Sequence, residues 1–312
     1  MAAWRSGTLI QSGVVGRILF LALAAAFQAA AAAPPDTEIF LAPLSSGPAP
    51  VVGAPINISS SPGYDNQPSF TPDGTGILFT SVRGGGTQTD IYRYDIASAQ
   101  TGRVTNTPES EYSPTVTPDG AHISVIRVEA DGTQRLWRFT IDGRAPELVL
   151  TAVKPVGYHA WADDRTLALF VLGSPASLQL ADTSTGAAEV LVRGINRSIQ
   201  RMPGGTISFV ARSAPGANAM LSIRELDPRT KRITPLVNAV AGAREADCAW
   251  TPDGMLLMAH KDVLYGWRKL PSTASGQARR WQKIADLAAL GLHGVSRIAI
   301  SPKGDRIAFV TQ

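Results

Sequence analysis

Phe70-Thr71-Pro72-Asp73-Gly74, followed by the apolar run Ile77, Leu78, Phe79, is the key to the fold, because it returns along the chain. The second copy is Val116 to Gly120 with Ile123 and Val125 behind it. The third is degraded: Trp161-Ala162-Asp163-Asp164-Arg165, then Leu169 and Phe170. The fourth reads Met202-Pro203-Gly204-Gly205, then Ile207 and Phe209. The fifth is Trp250-Thr251-Pro252-Asp253-Gly254, then Leu256 and Leu257. The sixth is Ile300-Ser301-Pro302-Lys303-Gly304, then Ile307, Phe309 and Val310. With the Pro72 column as marker the copies stand at 72, 118, 163, 203, 252 and 302, spaced by 46, 45, 40, 49 and 50 residues. A recurring period of this length signals repeated supersecondary units.

Each copy reads as a hairpin. Pro presets φ, Asp caps the turn, and Gly takes the positive-φ position. A third strand such as Ile91 to Tyr94 follows, then a turn at Thr101-Gly102 and a short fourth strand, Arg103 to Thr105. Four antiparallel strands in about 45 residues is the size of one propeller blade. Six copies predict an all-β, six-bladed β-propeller. The chain stops after two strands of the sixth blade, while Glu38–Leu41, Val51-Val52 and Ile56–Ile58 are strand-like and lack a blade of their own. The N-terminal strands are therefore expected to complete the last blade and close the ring, which removes free sheet edges.

Residues 1–33 read as a secretory signal peptide, and residues 34–312 as one propeller domain. Arg5 and Arg17 are the only charges before Asp36, Ile18 to Phe27 is apolar, and Ala29 to Ala33 offers small-residue cleavage sites. The alternative, a membrane anchor, fits less well, because the apolar run is short and lacks a stop-transfer charge cluster. With no cysteine near the cleavage region to carry a lipid, the mature chain is expected to be periplasmic or secreted, monomeric, and not inserted in a membrane. The formal net charge is +4, and removing Arg5 and Arg17 leaves 27 basic against 25 acidic residues. That near-neutral balance offers no footprint for nucleic acid. Pro271 to Gly276 reads as flexible, and Arg279, Arg280, Trp281 and Lys283 as a solvated basic loop. Residues 284–292 suit a short helix or a fourth strand with a loop. Cys248, the single cysteine, precludes an intrachain disulfide and reads as a buried thiol.

The stretches Ser69 to Phe79, Ser113 to Val125, Ala249 to Leu257 and Ile298 to Val310, with Pro68 and Pro114 four residues before the marker, resemble the WD-like repeat of the TolB family of propellers. The resemblance covers the whole mature chain and implies a role in the cell envelope. TolB itself carries an α/β domain before its propeller, and here only about 30 residues separate the leader from the first blade, so a propeller standing alone is expected. Similar repeats occur in prolyl oligopeptidase-type enzymes. Gly294-Val295-Ser296-Arg297-Ile298 lacks the second glycine of a nucleophile elbow, which argues against a serine peptidase.

The residues just before the Pro68 column are Gln67, Ser113, Tyr158, Ser198, Asp247 and Arg297, all able to hydrogen-bond. The alternating set Phe70, Val116, Trp161, Trp250 and Ile300 is apolar. Period-2 alternation puts the polar set on the channel side or rim and the apolar set between blades. Upstream lie Tyr64, Asp65, Glu109, Glu111, Tyr112, Arg197, Arg244, Glu245 and His293. From these, Asp65, Gln67, Glu111, Tyr112, Tyr158, His159, Arg197, Glu245, Asp247, His293 and Arg297 are the expected binding residues, for a protein or peptide of the envelope, with no cofactor. The bland reading is that any propeller channel is polar because it is wet. The alternative function is a lactonase or lyase on a carbohydrate-type substrate with a divalent metal in the channel. His159 and His293 would then be joined by Asp65, Glu111, Glu245 and Asp247, while His122 and His260 stay off the channel. No local ligand spacing supports that set.

Overall fold

In the computed structural model, which describes Met1 and residues 35–213, 220–269 and 280–312, the repeated turn is built by a side-chain relay. Thr71 Oγ1 donates to Asp73 Oδ1 at 2.5 Å, and Asp73 Oδ1 accepts the Thr75 N–H at 3.0 Å. The Gly76 N–H donates back to Thr71 Oγ1 at 2.9 Å. Gly74 sits at φ +71°, a conformation that a Cβ disfavours. Thr117–Asp119 and Thr251–Asp253 repeat the contact. In the sixth copy, where Lys303 replaces the acid, Asp305 takes over and accepts from Ser301 Oγ at 2.7 Å. The turn thus keeps its capping carboxylate two positions further on.

The strands form six four-stranded antiparallel sheets. Blade I comprises Asp65–Phe70, Gly76–Ser81, Asp90–Asp95 and Gln100–Arg103. Blade II comprises Ser110–Val116, His122–Val128, Gln134–Thr140 and Glu147–Leu148, and blade III comprises Val156–Trp161, Thr166–Val171, Ser177–Asp182 and Ala188–Arg193. Blade IV runs through Ile195–Arg201, Ile207–Arg212, Leu221–Leu226 and Ile233–Asn238. Blade V runs through Cys248–Trp250, Met255–His260, Val263–Arg268 and Gln282–Asp286. Blade VI joins Arg297–Ile300 and Arg306–Thr311 to Glu38–Pro43 and Ile56–Asn57, with Glu38 opposite Thr311 and Pro43 opposite Arg306. The N-terminal strands therefore close the ring.

Six apolar clusters fill the seams between neighbouring blades. Phe79 and Ile77 meet Ile39, Leu41 and Val310 between blades I and VI. Phe209 and Ile207 meet Phe170 and Leu178 between IV and III, and Phe309 meets Leu257 and Leu264 between VI and V. Each of these phenylalanines stabilises by roughly 1.5–3 kcal/mol on burial, and a single blade could not cover both of its own faces. Both forms expected for 284–292 occur in part: strand Gln282–Asp286 is followed by a 3-10 turn, Ala288–Leu290. Trp281 Nε1 donates to the Asn238 carbonyl at 2.8 Å, tying this strand to blade IV, while Arg280 and Lys283 are exposed. Residues 2–33 of the stretch read as a signal peptide, residues 271–276 and Arg279 lie outside the described residues. Among the described residues no helix is long and apolar enough to cross a membrane.

Candidate functional site at the centre of the ring

The innermost strands surround a cavity of about 670 Å³. Gln67, Ser113, Tyr158, Ser198, Asp247 and Arg297, one from each blade, all line it. Of their alternates, Phe70, Trp250 and Ile300 stay out of the lining, whereas Val116 and Trp161 also border it. Trp161 Nε1 crosses to Ser124 Oγ of blade II at 2.9 Å, and Trp250 Nε1 crosses to Ser208 Oγ of blade IV at 2.8 Å.

Four innermost strands, those of blades I to IV, carry a register irregularity, and in two of them a left-handed residue marks it. Gln67 and Ser113 have φ of +57° and +54°, and the pairing slips between Asn66 and Ser69 and between Tyr112 and Thr115. Pro68 and Pro114 follow, and proline cannot donate to the ladder, so pairing is interrupted there at little further cost. Asn66 Oδ1 accepts the Gln67 N–H at 2.8 Å. Gln67 Oε1 in turn accepts from Thr80 Oγ1 at 2.9 Å and from the Ser113 N–H of the next blade at 2.8 Å. Ser198 Oγ likewise accepts the Cys248 N–H at 3.3 Å.

Across the cavity, Arg297 Nη2 of blade VI donates to the Tyr158 hydroxyl of blade III at 2.7 Å. In a six-membered ring these blades are opposite, so the contact bridges the channel. The guanidinium lies 5.1 Å from the Tyr158 ring centroid, and Arg297 Nη1 stands 3.4 Å from Asp247 Oδ2. Burial pushes the Asp247 carboxyl upward, against the pull of Arg297 and Arg197. Burial likewise pushes the Tyr64 phenol up to about 12, opposed by Arg297 and Arg197. Tyr64 meets Tyr112 edge to face at 6.5 Å. The sequence-predicted residues Tyr112, Tyr158, Arg197, Asp247 and Arg297 thus belong to one aromatic, mixed-charge region, with Glu245 at 3.8 Å from Arg197 Nε. His159 lines the cavity wall, but its Nε2 is taken by Ser124 Oγ at 2.7 Å and its Nδ1 is enclosed without a partner. Burial pulls its pKa down to about 4, so the ring is neutral.

Three expected rim residues are elsewhere. Asp65 and Glu111 are fully buried, in the seams on either side of blade I. The bulge one or two residues downstream shifts the alternation, so they turn outward from the channel. His293 is exposed and pairs with Asp262 at 3.7 Å, away from the cavity lining. Arg201, Gln200, Asp163 and Asp164 line the cavity and were not anticipated there. Arg201 carried a signal, since it stands in a column that the other copies give to an apolar residue. Among the described residues no three His, Cys, Asp or Glu side chains converge as a metal centre requires, so the donors present do not fit the metal alternative.

A family profile described as the TolB β-propeller domain matches residues 37–185. The chain is a six-bladed β-propeller, of which residues 37–185 match the TolB propeller family. Among solved structures, the ring is similar to a protein assigned as a TolB from Agrobacterium tumefaciens, at 16% identity and a TM-score of 0.65, covering 88% of this chain and 98% of that one. It is similar to TolB from Acinetobacter baumannii at 14% identity and a TM-score of 0.57, covering 89% of this chain and 64% of that one. An oligogalacturonate lyase in complex with manganese matches at 14% identity and a TM-score of 0.54, covering 82% of this chain and 79% of that one. At these identities the likeness establishes the fold. No curated protein sequence matches the chain.

Proposed function

We propose that this propeller is an exported binding scaffold that takes a protein or peptide of the cell envelope at its central cavity. The observation that carries the reading is the lining itself: one polar residue from every blade, with Tyr64, Tyr112, Tyr158, Arg197 and Arg297 grouped in one region. Tyr and Arg combine apolar contact with directional hydrogen bonds, and they dominate protein recognition sites. The leader read in residues 1–33 and the likeness to TolB proteins support an envelope setting. The test is affinity capture from an envelope extract with the mature protein, beside the charge-swapped variant Arg297→Glu/Asp247→Arg. A saturable protein partner, held by the wild type and lost by the folded swap variant, is the expected result. Equal capture by both would refute the cavity as the site. Metal content is assayed on the same sample, and stoichiometric metal without a captured protein would replace this reading with the lyase or lactonase alternative.

A further inference from the structure

The seam that closes the ring has a charge imbalance that the other functions of the fold do not explain. Asp65 is completely enclosed there, and neither carboxylate oxygen makes a well-formed hydrogen bond. Its nearest cation, Arg83 Nη2, is 3.6 Å away. That guanidinium is already shared: Nε donates to Ser81 Oγ at 3.0 Å, Nη2 donates to the Ser59 carbonyl at 3.1 Å, and the group lies 5.0 Å from the Tyr92 ring centroid. The segment that closes the ring brings two more acids to this seam. Asp36 Oδ1 accepts the Gly63 N–H at 2.8 Å, and Glu38 accepts from Ser59 Oγ. The charged groups that face Asp65 are therefore Arg83, Glu38 and Asp36. With all of them ionised, three negative charges meet one positive charge around a carboxyl that is itself closed to water, while Asp36 is exposed and Glu38 and Arg83 are half-buried.

The N-terminal segment is held to blade I at Asp65 itself: Thr37 Oγ1 donates to the Asp65 carbonyl at 2.9 Å and the Asp65 N–H donates to the Thr37 carbonyl at 3.1 Å. The Thr37 N–H to the Gly63 carbonyl at 2.9 Å and the Ile39 N–H to Ser59 Oγ at 2.9 Å tie it to the stretch that leads into that blade. Loss of the Asp65 proton thus strains the contacts that hold the N-terminal strand. A buried carboxylate without full pairing favours its neutral form.

We propose that ring closure is a proton-linked latch: the Glu38–Pro43 strand is held most tightly when Asp65 is protonated, and opens more readily once Asp65 ionises among Glu38, Asp36 and a shared Arg83. Burial pushes the Asp65 carboxyl up to about 6, with Ser81 and Arg83 opposing. Local opening returns it to water and its ordinary acidity. Closure is then favoured at acidic pH and weakened as pH rises through 6.

Amide hydrogen exchange at residues 38–42 of this strand, corrected for intrinsic rate, tests this at pH 5 and pH 8. Opening of this strand should increase about ten-fold between the two in the wild type, and stay level in Asp65→Asn. Blade IV strand Ile207–Arg212, remote from the seam and from His159, should be level in both. A level wild type, an unchanged ten-fold rise in Asp65→Asn, or an equal rise in blade IV would each overturn the latch. If Asp65→Asn does not fold, the carboxyl carbon shift of Asp65 is titrated in the wild type. A midpoint near 6 supports the proposal, and one in the ordinary aspartate range rejects it.

Discussion

Blade II has two seams that solve the same packing problem with opposite chemistry. Glu111 and Val156 stand seven residues before their markers, Pro118 and Asp163, and both are fully buried. At the blade I side, Glu111 accepts from Thr105 Oγ1 at 3.1 Å and from Thr107, with Arg127 Nε at 3.7 Å. Arg127 also binds Glu109 and stacks over Trp137 at 4.8 Å, while Asp90 pairs with Arg103 at 2.8 Å. At the blade III side, the same column holds Val156 among Leu136, Leu150 and Val171. Thr105 and Leu150 each precede their column residue by six positions. The backbone is common, so the seam tolerates either solution, provided the set changes together. A polar seam needs acid, hydroxyl and arginine at once, and an apolar seam needs none of them.

The most severe test moves one member of such a set alone. Val156→Asp places a carboxylate among Leu136, Leu150 and Val171 without the arginine that accompanies Glu111. The expected loss is on the order of 4 kcal/mol or more, read as a collapse of the urea unfolding midpoint at pH 8. A midpoint close to the wild type would show that the seam is wetter than its burial implies.

The next effect separates the two seams by the sign of their pH response. Burial pushes Glu111 up to about 7, opposed by Thr107, Thr105 and Arg127. The folded state therefore holds this proton where the unfolded chain has lost it, and Glu111 contributes less stability as pH rises from its ordinary range to 7. His159, in the seam with blade III, is held neutral down to about 4 by burial. There the unfolded chain binds the proton first, so stability is lost as pH falls from 6.5 towards 4. The two responses oppose each other, each on the order of 2–3 kcal/mol over its full window. Between pH 5 and 7, Glu111→Gln should tilt stability to rise more steeply with pH, and His159→Gln should tilt it the other way. Unfolding curves that run parallel to the wild type in both variants would remove the distinction.

The smallest expected effect tests whether the turns are independent of the seams. Gly120 has φ +69°, and a Cβ at this position would have nothing within 4 Å, so a side chain there meets strain but no clash. Gly120→Val should cost about 1–2 kcal/mol, seen as a lower Tm, and should add to the Glu111→Gln change without coupling. A non-additive pair would tie turn and seam together.

The blade count, the hairpins and the ring closure were legible because each repeat carries its own turn chemistry. Thr71, Asp73 and Gly74 are neighbours in sequence, and their contacts are local. Even the exception at Lys303 was readable as a turn that tolerates change, although Asp305 as its substitute was not. The cavity lining was half legible. Alternation brought out Gln67, Ser113, Tyr158, Ser198, Asp247 and Arg297, but a bulge moves a strand by one residue and reverses which side a residue faces. Asp65 and Glu111 were misread for that reason. Pro68 and Pro114 were the available warning, because proline within a strand marks an edge position or a bulge.

The repeating unit, its number and the order of the strands are written in the chain itself, since they follow from periodic burial and from turns of a few residues. Which polar residues meet is settled only in three dimensions. Tyr158 and Arg297 are 139 positions apart and touch because closure of the ring brings opposite blades across one channel. Asp65 lost its water because Asp36, Thr37 and Glu38 return from the chain's beginning to cover it. Burial and long-range pairing set the acidity of such groups, and neither is a property of the local sequence.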